Sequence, residues 1–371
     1  MSSAIAKISV YAVQVPIKEG TYTMSGGRAL DEFDTTIVRV QTKDGLVGWG
    51  EVTPLGTNYL PSYTAGARTG IKELAPHLIG IDATELARVN AAMDLALKGH
   101  PYVKSAIDIA CWDVLGRKAG LPVVTLLGGR FGKTVKLYRS ITKDTPQAMA
   151  QRIRAFQRQG YRTFQLKVGG EPDLDIARIR ATARACRPGE RLVADANGGW
   201  LPHEAARVVD AVRDLDVAIE QPCQSYEENL TIRRRTARPF VLDESIDSLG
   251  ALQRAIADGA VDAINIKLSK YGGLSRARVI RDVANANGIA TTIEDTACTD
   301  ITAAAVAALA HSTPEALRFS ATLANVKLAF RTATGAPFPK NGEAAAGSAP
   351  GLGVTPLMKV LGKPLFEVGR A

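Results

Sequence analysis

From Val135 onward the chain repeats one unit: a short apolar run, a loop and a helix. Candidate strands begin near Val135 (VKLYRS), Thr163 (TFQLK), Leu192 (LVAD), Val217 (VAIE), Phe240 (FVLD), Ala263 (AINIK), Ala290 (ATTIE) and Leu317 (LRFSA). The steps between them are 28, 29, 25, 23, 23, 27 and 27 residues. Segments such as PQAMAQRIRAFQRQG and LSRARVIRDVANANG carry helical periodicity and fill the gaps. A strand with its crossover helix occupies about this length, so eight such units predict an α/β fold of the (β/α)8-type barrel. A doubly wound open sheet is the alternative, but no GxGxxG follows the first strand to favour it.

The preceding residues follow another pattern. ISVYAVQVPI and TTIVRVQTKDGLVGWGEV read as strands, the latter broken by a KDG turn. AGARTGIKELAPHLIG to YVKSAIDIACWDVLGRKAG is helical and closed by Gly120 and Pro122. The expected domains are an α+β capping domain at 1–126, the barrel at 127–335 and a C-terminal segment at 336–371 returning to the cap. No apolar stretch reaches 18 residues and the N-terminus has no signal-peptide core, so no membrane association is expected. Cys111, Cys186, Cys223 and Cys298 have no CxxC spacing and no zinc-spaced histidines, which predicts free thiols in a reducing cytoplasm. The formal charge is +9, but its lysines and arginines are spread over helices such as ARIRATARACR. That distribution speaks against nucleic acid as a partner and suits an anionic small substrate.

Chemistry concentrates at the strand ends. The second strand ends on Lys167, the third on Asp195, the fourth on Glu220, the fifth on Asp243, the sixth on Lys267 and the seventh on Glu294 and Asp295. In a parallel barrel these ends share one mouth, the face that carries activity. Gly198 and Gly199 in RLVADANGGW let the chain turn away after Asp195. Carboxylates on adjacent strands, about 4.8 Å apart, repel one another unless a counter-charge intervenes. A hard divalent cation resolves the conflict, and oxygen ligands without nearby His or Cys suit Mg2+ and not Zn2+. One acid alone reads equally well as a helix N-cap. One lysine alone reads as an ion-pair partner. Two lysines facing each other across a metal, their pKa lowered by the crowding, can move protons on both faces of one carbon.

At this point the residues resemble the enolase superfamily, of the mandelate racemase/muconate lactonizing type. GLVGWGE, AIDIACWDVLGRKAGLPV, LKVGG, ADANGGW, EQP, LDES, KLSKYGGL and PGLGVTP occur in order along essentially the whole chain. The resemblance implies Asp195, Glu220 and Asp243 as metal ligands and Lys167 and Lys267 as acid/base pair. It also implies one Mg2+ per subunit (Mn2+ as substitute), an enediolate formed by loss of an α-proton, and a homo-oligomer of two to eight subunits.

The lysine pair, with no His near the seventh strand, favours the muconate lactonizing-like branch. Relatives acting on proline betaines and hydroxyprolines share the pattern Gln165-Leu166-Lys167 and a segment like EQPCQSYEE. They continue with a Trp after the seventh strand, where this chain has EDTACTD. Ala297 and Cys298 cannot hold a quaternary ammonium by cation–π contact as a Trp would. The expected reaction is therefore dehydration of a cis-3-hydroxyproline-like substrate, or racemisation or epimerisation of a proline-like amino acid or betaine. A cycloisomerase or dipeptide epimerase is the alternative, and a non-catalytic barrel a further one. Gln165, Asn197, Glu294, Asp295, Tyr59 and Tyr22 are the candidate substrate contacts, the two tyrosines from cap loops with the composition of lids.

Overall fold

In the computed structural model, which describes residues 2–370, the apolar runs form one sheet of eight parallel strands laid side by side in chain order. Numbered one to eight, the barrel strands are Tyr138–Ile141, Thr163–Lys167, Arg191–Asp195, Ala218–Glu220, Phe240–Leu242, Ala263–Lys267, Ala290–Glu294 and Arg318–Ala321. Local chemistry starts the intervening helices. Pro146, Pro172 and Pro202 each occupy a first helical position, where the missing N–H costs nothing. Ser225 and Glu228 close a capping box around the start of Tyr226–Arg233.

Two strand boundaries differ from the sequence reading. Val135–Lys136 does not begin barrel strand one; it pairs antiparallel with Glu343–Ala344 of the C-terminal segment. The Leu137 N–H donates to Gly342 O at 2.9 Å, and only beyond it does the chain enter the barrel. Strand five stops at Leu242, leaving Asp243 on the loop that follows. Strands one and eight share no backbone ladder among the described residues; the Thr322 hydroxyl donates to Tyr138 O at 3.3 Å across the seam. The barrel is nearly closed.

Register places the strand ends. Lys167 pairs with Asp195, Asp195 with Glu220, and Lys267 with Glu294. Side chains alternate along a strand. Val193, Ala218, Val241 and Ala263 pack together inside the barrel, so Asp195, Glu220, Asp243 and Lys267, at even offsets from them, face its axis as well.

In the cap, strands Ile5–Pro16, Glu32–Thr42 and Val47–Val52 form an antiparallel sheet whose edge is completed by Phe366–Gly369 from the C-terminus. Helix Pro101–Ala119 lies so close to Val47–Val52 that a Cβ on Gly50 would stand 1.8 Å from Ala106 O. Gly50→Ala is expected to lower stability by about 1–3 kcal/mol, visible as a reduced Tm in thermal denaturation. Cap and barrel are joined by buried Glu51. Its carboxylate accepts from the Thr299, Ile301 and Thr302 N–H groups and so caps the barrel helix Asp300–His311 from outside. Among the described residues no helix is long and apolar enough to cross a membrane.

Candidate active site

The mouth of the barrel gathers the expected acids and lysines into one buried network. Lys167 ion-pairs with Asp195, and Lys267 with Asp243. Lys267 Nζ also donates to Tyr59 Oη at 2.5 Å and lies 3.5 Å from Glu294 Oε1. Glu220 is held by amides: Gln165 Nε2 reaches both of its oxygens at 3.0 Å, and Asn265 Nδ2 donates at 2.6 Å. Asn197, in the left-handed region at φ 46°, donates its backbone N–H (2.8 Å) and its side-chain amide (3.0 Å) to Asp195. The same amide donates to Glu244 at 3.1 Å. Every one of these groups except Tyr59 and Glu244 is more than nine-tenths buried.

The electrostatics follow from crowding. Burial, then the neighbouring Asp195 and Asp243 charges, push the Glu220 carboxyl well above the carboxylate range, with Lys167 opposing. Asp243 goes the other way: burial would raise it, but Lys267 and Lys270 outweigh burial and hold it far below its ordinary value. The lysines depart from the sequence expectation. Burial does act to lower both, but Asp195 on Lys167 and Asp243 on Lys267 outweigh it and raise them above an ordinary lysine. The reason is that both ammonium groups are ion-paired with the carboxylates expected to bind metal.

In this arrangement the carboxylates do not converge on a single point among the described residues, because two of them turn to lysines. The donor set nevertheless fits a hard divalent cation. Glu220 stands charge-crowded between Asp195 and Asp243. Among the described residues, Asn197 Oδ1, Glu244 Oε2 and Asn265 Oδ1 are buried oxygens without a hydrogen-bond partner. Among the described residues, every candidate ligand at the mouth offers oxygen.

Above the network the cap closes a cavity of about 40 Å3, room for no more than a few waters. Tyr22, Tyr59, Gln165, Glu294 and Asp295 line it together with Lys167 and Lys267. Asn197 does not line it; its side chain instead orients Asp195. Glu294 accepts from the Tyr138 hydroxyl, whereas Asp295 is engaged by the N–H and hydroxyl of Ser269 and by the Thr296 N–H. Burial raises Asp295 to about 7. Ala297 and Cys298, the positions that lack a Trp, are buried and outside the cavity wall.

Sequence reasoning missed several members. Lys270 donates to Asp243 Oδ1 (3.1 Å), to Asp243 O (2.6 Å) and to Asn265 O (3.0 Å). The signal was its spacing, three residues beyond Lys267 in KLSKYGG, which a short helix folds back under the strand end. Glu244 is raised to about 7 by burial and then by Asp243. Asn265 had a signal too: it lies two residues before Lys267, on the same inward face.

A parallel barrel with ionisable side chains at its C-terminal mouth and a separate domain closed over them defines a capped-barrel enzyme. Residues 7–128 match the mandelate racemase / muconate lactonizing enzyme N-terminal domain, and residues 148–360 match the enolase C-terminal domain-like family. The chain belongs to the mandelate racemase/muconate lactonizing enzyme family of the enolase superfamily, whose members are lyases and isomerases that bind a divalent metal and act on small carboxylates. It is 52% identical over 361 residues to a cis-3-hydroxy-L-proline dehydratase of Roseibium aggregatum, covering 97% of this chain and 98% of that one. A hydrophobic dipeptide epimerase of Enterococcus faecalis is 34% identical over 77% of this chain and 80% of its own. A Roseovarius nubinhibens member of the family, whose crystal structure is complexed with magnesium, superposes with a TM-score of 0.95 at 36% identity. That match covers 99% of this chain and 100% of the other.

Proposed function

We propose that the chain is a Mg2+-dependent dehydratase of cis-3-hydroxy-L-proline or a close analogue. The observation that carries this reading is the 52% identity, across nearly both full lengths, to a dehydratase of that substrate. Epimerisation of a proline-like acid is the second reading, supported by the two lysines on opposite strands and by the epimerases among the relatives.

In this reading Asp195, Glu220 and Asp243 would hold the Mg2+, with Mn2+ as a substitute. The bound ion would supply a Lewis acid for the charge that develops on the substrate carboxylate. Gln165, Asn265 and Asn197 orient those carboxylates. With its carboxylate partner, Asp195 or Asp243, turned to the metal, one lysine, Lys167 or Lys267, would lose its ammonium proton and take the α-proton. The electron pair left at the α-carbon then expels the hydroxyl from the adjacent carbon, and the hydroxyl leaves as water with a proton from the acid. Reprotonation of the α-carbon from the opposite lysine would give the epimer instead. Glu294 is the candidate partner for the substrate amine, and Tyr22 and Tyr59 close the cavity from the cap. A homo-oligomer in the cytoplasm completes the reading; the four free thiols suit a reducing compartment.

Incubation with cis- and trans-hydroxyprolines, proline betaine and dipeptides in the presence of Mg2+ tests the reading. Loss of water from cis-3-hydroxy-L-proline, followed by NMR, is the expected result. Epimerisation of a dipeptide with no dehydration of any hydroxyproline would overturn it.

A further inference from the structure

On the side of the cavity away from the carboxylates stands a cation that the chemistry above does not use. Lys327 ends the short 3-10 turn Ala324–Lys327 after barrel strand eight and lines the same cavity as Lys167 and Glu294. Its Nζ donates to Ser140 Oγ on strand one at 2.7 Å and lies 3.7 Å from the centre of the Tyr22 ring. Strands one and eight lie across the barrel from strands four and five, so this corner faces Glu220 and Asp243 from the opposite wall. Its direct partners there are a hydroxyl and an aromatic face; the carboxylates of Glu19 and Glu294 act on it too, but less than the Arg139 and Lys167 charges. Burial, then the Arg139 and Lys167 charges, bring its pKa down to about 7.

A desolvated amine with no carboxylate in direct contact is costly to maintain unless something it meets repays the cost. The carboxylate end of a substrate belongs with the acids, and its α-carbon must lie between Lys167 and Lys267. The remaining ring atoms then point toward strands eight and one. We propose that Lys327, oriented by Ser140 and Tyr22, is a substrate-recognition residue whose Nζ–H takes an oxygen acceptor, such as a hydroxyl, on the carbon next to the reacting one. The same positive corner turns the substrate's ammonium away, toward Glu294 on strand seven. Lys327 thereby decides which way round the ring sits. The inference rests on the proposed function and deepens it.

Lys327→Met keeps the apolar stem and removes only the donor. The kcat/KM for cis-3-hydroxy-L-proline is expected to fall about 10- to 100-fold, the worth of one hydrogen bond to a charged group. The inhibition constant of L-proline, the same ring without the oxygen, should stay nearly unchanged, as should the Mg2+ dissociation constant measured by calorimetry. Parallel loss for both ligands, or for neither, overturns the assignment, because a residue that only props the cavity wall would treat them alike. Wild-type enzyme that neither dehydrates cis-3-hydroxy-L-proline nor exchanges its α-proton with D2O overturns the proposed function itself, and this inference with it.

Discussion

Lys167→Ala and Lys267→Ala are each expected to stop net turnover, with a loss of at least about 10^2-fold in rate. A base reaches only the proton on its own side of the substrate, since transfer needs heavy atoms within about 3 Å. The two lysines rise from strands two and six, on opposite sides of the mouth. One single variant should therefore still exchange the α-proton of one enantiomer with solvent deuterium, and the other variant should not. The measurement is the α-proton NMR signal of each enantiomer in D2O, with circular dichroism as the check on folding. Both variants should remain folded. Asp243 keeps Lys270 at 3.1 Å when Lys267 is removed, and Asp195 keeps the Asn197 amide when Lys167 is removed. Turnover near the wild-type rate in both variants would make Glu294 or Asp295 the candidate base. Equal exchange of both enantiomers by one variant would reject the two-faced geometry.

Chelation of divalent metal should abolish activity, and Glu220→Gln should abolish calorimetric Mg2+ binding while raising the Tm of the metal-free protein. The opposite signs have one cause. Glu220 has a raised carboxyl pKa, so at neutral pH the fold must either hold its proton or bury its charge, and both cost stability unless a cation offsets them. A Gln there removes the charge, and Asn265 Oδ1, now without a partner, can accept from the new amide. Asp243→Asn should behave differently: it would weaken Mg2+ binding and also destabilise the protein by about 3–5 kcal/mol, because Lys267 and Lys270 lose a buried counter-charge.

The pH dependence follows the same logic. Glu220, Glu244 and Asp295 are raised, the last two to about 7, so the native state holds protons that the unfolded chain has released. Stability of the metal-free protein should therefore fall as pH rises from about 4.5 to about 7, and saturating Mg2+ should flatten that slope. Thermal melts across this range decide it. A metal-free Tm that climbs with pH would overturn the raised carboxyls, and a Glu220→Gln variant that binds Mg2+ like the wild type would remove Glu220 from the metal site.

The sequence determined the barrel, because an eightfold alternation of strand and helix at nearly constant spacing leaves a chain few other ways to bury its apolar runs. It also determined which residues share the mouth. A parallel barrel brings all C-terminal strand ends to one face whatever the details of packing, so Lys167, Asp195, Glu220, Asp243 and Lys267 could be named from strand ends alone. Only the tertiary structure decided where Val135–Lys136 belongs, since its partner Glu343–Ala344 lies some 200 residues along the chain. It also decided that Asn197 serves Asp195 and does not face the cavity, that Lys270 folds under Asp243, and that Lys327 reaches into the same cavity from behind strand eight. The lysines' protonation belongs to this second group as well. A strand end tells which residue reaches the mouth, but its charge state depends on which carboxylate stands nearest. That distance is set by register, side-chain rotamer and burial, none of which is local in sequence.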